Sequence, residues 1–203
     1  MGRGEPLETP IAGYGGLTER FDLDKPVIAA VNGVAMGGGF EFALSSDVIV
    51  AEQGARMGLP EVMFNLFPGM GAYNLLARRV GARVAEEMMM SGNIYQAEDL
   101  HRMGVVDVLA PRGEGEKAVD EFIRKRGRRF NAIRSIYQCR QFVNPVSHEQ
   151  LMNIANLWVD AVLRRLVDGH DGLAATCSRL PQADNQRTLC DNLVISLGGG
   201  RKG

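Results

Sequence analysis

Lys25–Glu61, KPVIAAVNGVAMGGGFEFALSSDVIVAEQGARMGLPE, decides the fold. It opens with Val27-Ile28-Ala29-Ala30-Val31, an apolar run without polar alternation, the pattern of a strand buried on both faces. Gly33 permits a turn. Gly37-Gly38-Gly39 then leads into Phe40-Glu41-Phe42-Ala43-Leu44, which suits a helix. A second buried strand is predicted at 48–51, followed by Gly58-Leu59-Pro60 and a second carboxylate, Glu61. The reading is strand, glycine-rich turn, helix, strand, loop, with two glutamates 20 residues apart (61 − 41).

Glycines ahead of a helix let a ligand reach the backbone, where the first helical N–H groups lack internal partners and the helix dipole adds positive charge. Such a turn binds phosphate, or an oxygen on which negative charge develops. No Gly-Lys-Ser/Thr follows, so it is not a P-loop, and GGGFEF is not the G-x-G-x-x-G dinucleotide fingerprint. Glu41 falls in the first helical turn, beside whatever the amides hold. A carboxylate next to an oxyanion-binding turn suits proton transfer adjacent to a thioester or ketone carbonyl. A tight turn with a helix-capping acid fits the same pattern, and both readings stand on spacing alone.

KPVIAAVNG, GGGFE, ALSSDVIVA and MGLPE, in this order and spacing, resemble the crotonase (enoyl-CoA hydratase/isomerase) superfamily. LPEVMFNLFPGMGAYNLLARRV (59–80), MSGNIYQAEDLHRMGVVDVLAPRGEG (90–115) and LWVDAV (157–162) look like one subgroup, the synthases of diffusible signal factor, a cis-2-unsaturated fatty acid. The resemblance runs from about Leu23 to about Val167. It implies an α/β fold of the ClpP/crotonase type, a spiral of ββα units with a C-terminal helical region. It also implies that a loop donating the first oxyanion-hole N–H, and the first strands of the sheet, lie upstream of Met1. The chain is therefore read as N-terminally truncated, with an open sheet edge.

The resemblance assigns roles as well. Gly38 N–H would bind the thioester oxygen, and Glu41 and Glu61 would flank the α- and β-carbons. The expected chemistry is dehydration of a 3-hydroxyacyl thioester to a 2-enoyl thioester, with hydrolysis to the free acid in the signal-factor subgroup. Ordinary enoyl-CoA hydration or isomerisation is the alternative, and an inactive crotonase-fold protein is a third. No redox cofactor is implied. CoA or acyl carrier protein would carry the substrate, and relatives form trimers and hexamers.

Composition narrows the classes. At 203 residues the chain suits one domain or one plus an appendage. Net charge is −1, so no global field favours nucleic acid. Cys139, Cys177 and Cys190 are odd in number and lack metal spacing, which fits reduced thiols in a cytoplasmic protein. No apolar run approaches the ~18–20 residues of a membrane helix, and the first residues lack a signal-peptide core. No histidine has ligand spacing, so no metal is assigned.

Beyond Glu61 the pattern is mostly helical. Phe67-Pro68-Gly69-Met70-Gly71 reads as a turn, followed by helices over 72–80, 82–90 and 97–103. Tyr73, Leu76, Ala77 and Val80 recur at helical spacing in the first. Gly104 reads as a left-handed cap, 105–109 as a strand, and 116–129 as an amphipathic helix. Its end, Arg124-Lys125-Arg126-Gly127-Arg128-Arg129, fits either a basic patch for an acidic carrier or a solvated helix terminus. Ser147 and Gln150 form a capping box. The helix that follows carries the apolar stripe Leu151, Ile154, Trp158, Ala161 and Val162. Trp158, Met36 and Met70 are candidate walls of an acyl-chain tunnel, with plain core packing as the other reading of Trp158. The expected organisation is a core over 1–130, a helical region over 131–168 and a poorly ordered tail over 169–203.

Overall fold

Val27–Val31 forms β1, and all five residues are buried. In the computed structural model, which describes residues 16–18, 20, 23, 25–143, 146–167 and 193–197, β1 pairs in parallel with β3 (Val48–Glu52). Strand side chains alternate between faces, and here each set has its own core. Ala29, Val31, Ile49 and Ala51 point into a large cluster with Phe40, Leu76, Ala85 and Leu100. Ile28, Ala30, Val48 and Val50 point the other way, against Val119, Phe122 and Ile123. Burial on both faces explains why these strands show no polar alternation.

Between β1 and β3 the chain makes β2 (Val34–Met36) and α1 (Gly38–Leu44). After β3 come β4 (Arg56–Gly58), a 3-10 turn (Pro60–Phe64), α2 (Ala72–Val80) and α3 (Ala82–Ser91). Then follow β5 (Ile94–Gln96), α4 (Ala97–Met103), β6 (Val108–Ala110) and α5 (Gly115–Gly127). Two helices, α6 (Phe130–Val143) and α7 (His148–Val167), occupy the expected helical region. One sheet has the order β6-β3-β1-β7 and the other β2-β4-β5.

Several expectations shift. The second sheet escapes a period-based reading because each strand has three residues. The strand expected over 105–109 lies at Val108–Ala110, while Val105 and Val106 are core residues beyond the left-handed Gly104. Tyr73 does not face inward: it is exposed, with its hydroxyl donating to Glu86 at 2.6 Å. Ala72 and Leu76 supply the buried face of α2. The capping box is formed, Gln150 N–H donating to Ser147 Oγ and Ser147 N–H to Gln150 Oε1, both at 3.1 Å.

The open edge expected at β1 is occupied. Leu193–Leu197 forms β7 and runs antiparallel to β1 from Val27↔Leu197 to Val31↔Leu193. This strand falls within the segment 169–203 that was expected as a tail. Its apolar, β-branched residues suit that position. The remainder of that tail, including Cys177 and Cys190, lies outside the described residues. Proline lacks the N–H that a ladder needs. Ile195→Pro is accordingly expected to unpair β7 and speed amide exchange in Val27–Val31 by about tenfold or more. Unchanged exchange there would show that β7 does not protect the edge.

Candidate active site

The two glutamates meet at the start of α1. Gly37 precedes that helix with φ 54 and ψ −125, a conformation glycine tolerates and other residues resist. Its N–H donates to Gly58 O at 2.9 Å, which fastens β2 to β4, and its carbonyl accepts from Phe40 and Glu41 N–H. A Cβ on Gly37 would stand 2.8 Å from Glu61 Oε1. Glycine is required there by the backbone angle and by the carboxylate packed on it.

Glu41, in the first turn of α1, is 1% exposed. Its Oε1 accepts two backbone N–H groups, Met70 at 2.7 Å and Ala72 at 3.1 Å. Burial first, and then the charge of Glu61, push its carboxyl up to about 7, while the two amides pull the other way. Glu61, on the 3-10 turn, is also raised above the ordinary carboxylate range by burial. Both carboxyls are thus raised by burial, and the charge of Glu61 adds to the rise at Glu41. Glu61 Oε2 is buried without a hydrogen-bond partner. An orphaned buried carboxylate oxygen is costly, and it points to a group that arrives with a hydrogen to donate.

The remaining candidates fall around this pair. Gly38 is the first residue of α1. Met36 ends β2, opposite Gly58. Met70 contributes its backbone N–H, which donates to Glu41 Oε1. Trp158, half-buried on α7, lies against Gly69: a Cβ built there would meet the indole Cγ at 2.4 Å. Leu151, one of the buried residues of the same stripe, lies against Gly71, a Cβ there meeting Leu151 Cδ2 at 2.8 Å. Sequence reasoning missed the two amides on Glu41, because Phe67–Gly71 announces a turn but not what the turn faces.

Other features lie apart. A cavity of about 590 Å³ opens at the far end of α1, lined in part by Ser45, Ser46, Asp47, Arg78, Arg79 and Tyr137, and neither glutamate touches it. Residues 124–129 are exposed, and Arg126 covers the Phe122 ring at 4.2 Å. Among the described residues no His, Cys, Asp or Glu cluster is arranged to hold a metal, and no helix is long and apolar enough to cross a membrane.

Known proteins resemble this chain in sequence and in fold. The mevalonyl-coenzyme A hydratase SIDH of Beauveria bassiana is 47% identical over 116 residues, 57% of this chain and 40% of that protein. The carnitinyl-CoA dehydratase of Salmonella paratyphi B is 46% identical over 102 residues, 50% of this chain and 39% of that protein. The chain thus spans about two fifths of the length of these curated relatives. Among solved structures, the enoyl-CoA hydratase EchA1 from Mycobacterium marinum superposes with a TM-score of 0.63 at 29% identity, over 89% of this chain and 71% of that one. The architecture is the crotonase fold. The family model described as enoyl-CoA hydratase/isomerase matches residues 11–155, a span holding the strands of the glycine turn, both glutamates and the loop that faces them. This chain belongs to the enoyl-CoA hydratase/isomerase family.

Proposed function

We propose that this chain is a lyase that adds or removes water across the α,β-bond of an acyl thioester. The observation that carries the reading is the unequal carboxyl pair at one glycine turn. Glu61 has an unpartnered buried oxygen, and Glu41 holds its proton to about pH 7. General acid–base catalysis needs one group charged and one protonated at the working pH, and two carboxyls at one turn, with Glu41 raised to about 7, suit that division near neutrality.

The steps divide the two roles between the carboxyls. In dehydration, Glu61 takes the α-proton, and the electron pair moves toward the thioester carbonyl. Gly38 N–H holds the oxygen on which charge develops. The β-carbon–oxygen bond then breaks, Glu41 gives its proton to the leaving hydroxyl, and water and a 2-enoyl thioester result. Hydration is the reverse. The relatives named above are called hydratase or dehydratase on CoA thioesters, which supports CoA as the carrier. Met36 and Met70 would line the acyl path. No cofactor enters these steps.

A finer reading has the product released as a free cis-2-unsaturated fatty acid from a carrier protein. It rests on the resemblance of 59–80 and 90–115 to signal-factor synthases. An assay of crotonyl-CoA hydration beside acid release from 3-hydroxydodecanoyl carrier protein separates the two. A homotrimer or homohexamer in the cytoplasm belongs to the same proposal. Its support is the resemblance, together with the exposed Ile136, Phe142, Leu157 and Leu163 on α6 and α7.

Glu41→Gln and Glu61→Gln are each expected to lower crotonyl-CoA turnover by roughly 10²–10⁴-fold, the range for lost acid–base groups. Turnover like the wild type in either variant would remove that residue from the mechanism.

Glu41 also links stability to pH. Its carboxyl is raised in the folded chain from 4.5 to about 7, so folding favours the protonated form. That contribution is fully present below pH 4.5 and is lost as pH rises through about 7. Between pH 4.5 and 8, wild type should lose on the order of 3 kcal/mol relative to Glu41→Gln, at about 1.36 kcal/mol per pKa unit. Urea unfolding of the two proteins across this window measures the difference. A constant difference would place the Glu41 carboxyl in the ordinary range.

A further inference from the structure

The loop Gly69–Ala72 presents two N–H groups to Glu41 Oε1, and α7 lies on the other side of that loop. Two residues of one α7 face make the contact. Trp158 covers Gly69 so closely that a Cβ there would come within 2.4 Å of the indole Cγ, 2.5 Å of Cδ1 and 2.7 Å of Trp158 Cβ. Leu151, seven residues earlier and so two turns away on the same face, covers Gly71. Gly69 is not among the positive-φ residues. Its lack of a side chain is therefore explained by the indole and not by a backbone angle. Between the two contacts stands Met70, whose N–H makes the shorter bond to Glu41.

The start of α7 is held locally and touches α2. Its N-terminus is closed by the Ser147–Gln150 box, and Asn74 of α2 donates to Gln150 Oε1 at 3.4 Å. The chain before this loop runs back to the turn that carries Glu61, Leu66 N–H donating to the Glu61 main-chain carbonyl at 3.1 Å. Nothing in this arrangement requires Trp158 to touch substrate. Its contact is with the backbone that holds a catalytic group.

We propose that Trp158 is a positioning residue: through Gly69 it presses the Gly69–Ala72 loop onto Glu41, so that the Met70 and Ala72 N–H groups stay bonded to the carboxylate. This deepens the acid–base reading of Glu41 and rests on it for its functional meaning. The contact itself is testable without substrate. Removing the indole frees the loop on one side, and the two amides then open to solvent independently of the sheet. Adding a methyl group at Gly69 displaces the loop or the indole, with the same effect. Combining the two changes lets the methyl occupy part of the vacated space, so the pair should be less than additive.

The test is amide exchange and chemical shift in the ¹⁵N-labelled full chain. Trp158→Ala and Gly69→Ala should each speed exchange of the Met70 and Ala72 amides by about tenfold or more, while the Ile49 and Val50 amides of β3 change little. The pH-dependent shift that both amides derive from the neighbouring carboxyl should shrink in each variant, and Glu41→Gln should abolish it. Gly69→Ala/Trp158→Ala should recover part of the protection. Trp158→Phe, which keeps a ring over Gly69, should stay within a few-fold of wild type. Met70 and Ala72 amides as protected in Trp158→Ala as in wild type, with their shift intact, would overturn the proposal. Acceleration of β3 to the same extent would also overturn it, since that marks a general loss of packing. So would intact amides with a loss confined to twelve-carbon over four-carbon thioesters, which would make Trp158 a tunnel wall. Failure of the lyase reading would show separately, as a wild-type chain without turnover whose amides still respond.

Discussion

A carboxylate buried to 1% exposure in the first turn of a short helix is the constraint on which the rest depends. Taking an ionised group out of water is expensive unless it is paired or neutralised. Glu41 answers this in two ways. Two amides from the Gly69–Ala72 loop bond one oxygen, and the carboxyl holds its proton to about pH 7. Neither would arise from α1 alone. The loop must be folded against the helix start, and a second carboxylate must stand near enough to oppose ionisation. The glycine turn, the 3-10 turn and α2 are arranged to bring these groups together.

That arrangement needs a rigid base, which the β6-β3-β1-β7 sheet provides. β1 and β3 lie in parallel with both faces covered, and the chain leaving β1 enters β2 and then α1. The helix start is thereby set by the sheet on one side and by the short β2-β4-β5 sheet on the other. Gly37 N–H bonded to Gly58 O ties the helix start to the short sheet. The Glu61 contact on Gly37 then follows from β4 running directly into the turn that carries Glu61.

Much of this was visible in the sequence. The two central strands announced themselves because burial on both faces leaves only apolar, largely β-branched residues. The glycine turn and the acid in its first helical turn were visible in the local pattern, while the pairing of Glu61 with Glu41 came from the resemblance to the crotonase superfamily. The Ser147–Gln150 box was visible because capping is local chemistry. Contacts made at a distance were not. Met70 and Ala72 bind Glu41 through backbone N–H groups, which no side-chain pattern encodes. Strands of three residues are too short for a period. Tyr73 followed helical spacing yet faces outward, because its hydroxyl finds Glu86 there. Leu193–Leu197 is stabilised as a strand by pairing with the β1 edge, a partner distant in the chain that local pattern does not reveal.

The account turns on the claim that burial and the charge of Glu61 hold the Glu41 carboxyl near neutrality. ¹³C titration of the glutamate carboxyls, with Glu41→Gln to assign the resonance, measures this directly. The account predicts that Glu41 titrates at about pH 7, and that Glu61→Gln moves it downward by removing the repulsion. A Glu41 carboxyl titrating near the ordinary 4.5, indifferent to residue 61, would contradict it.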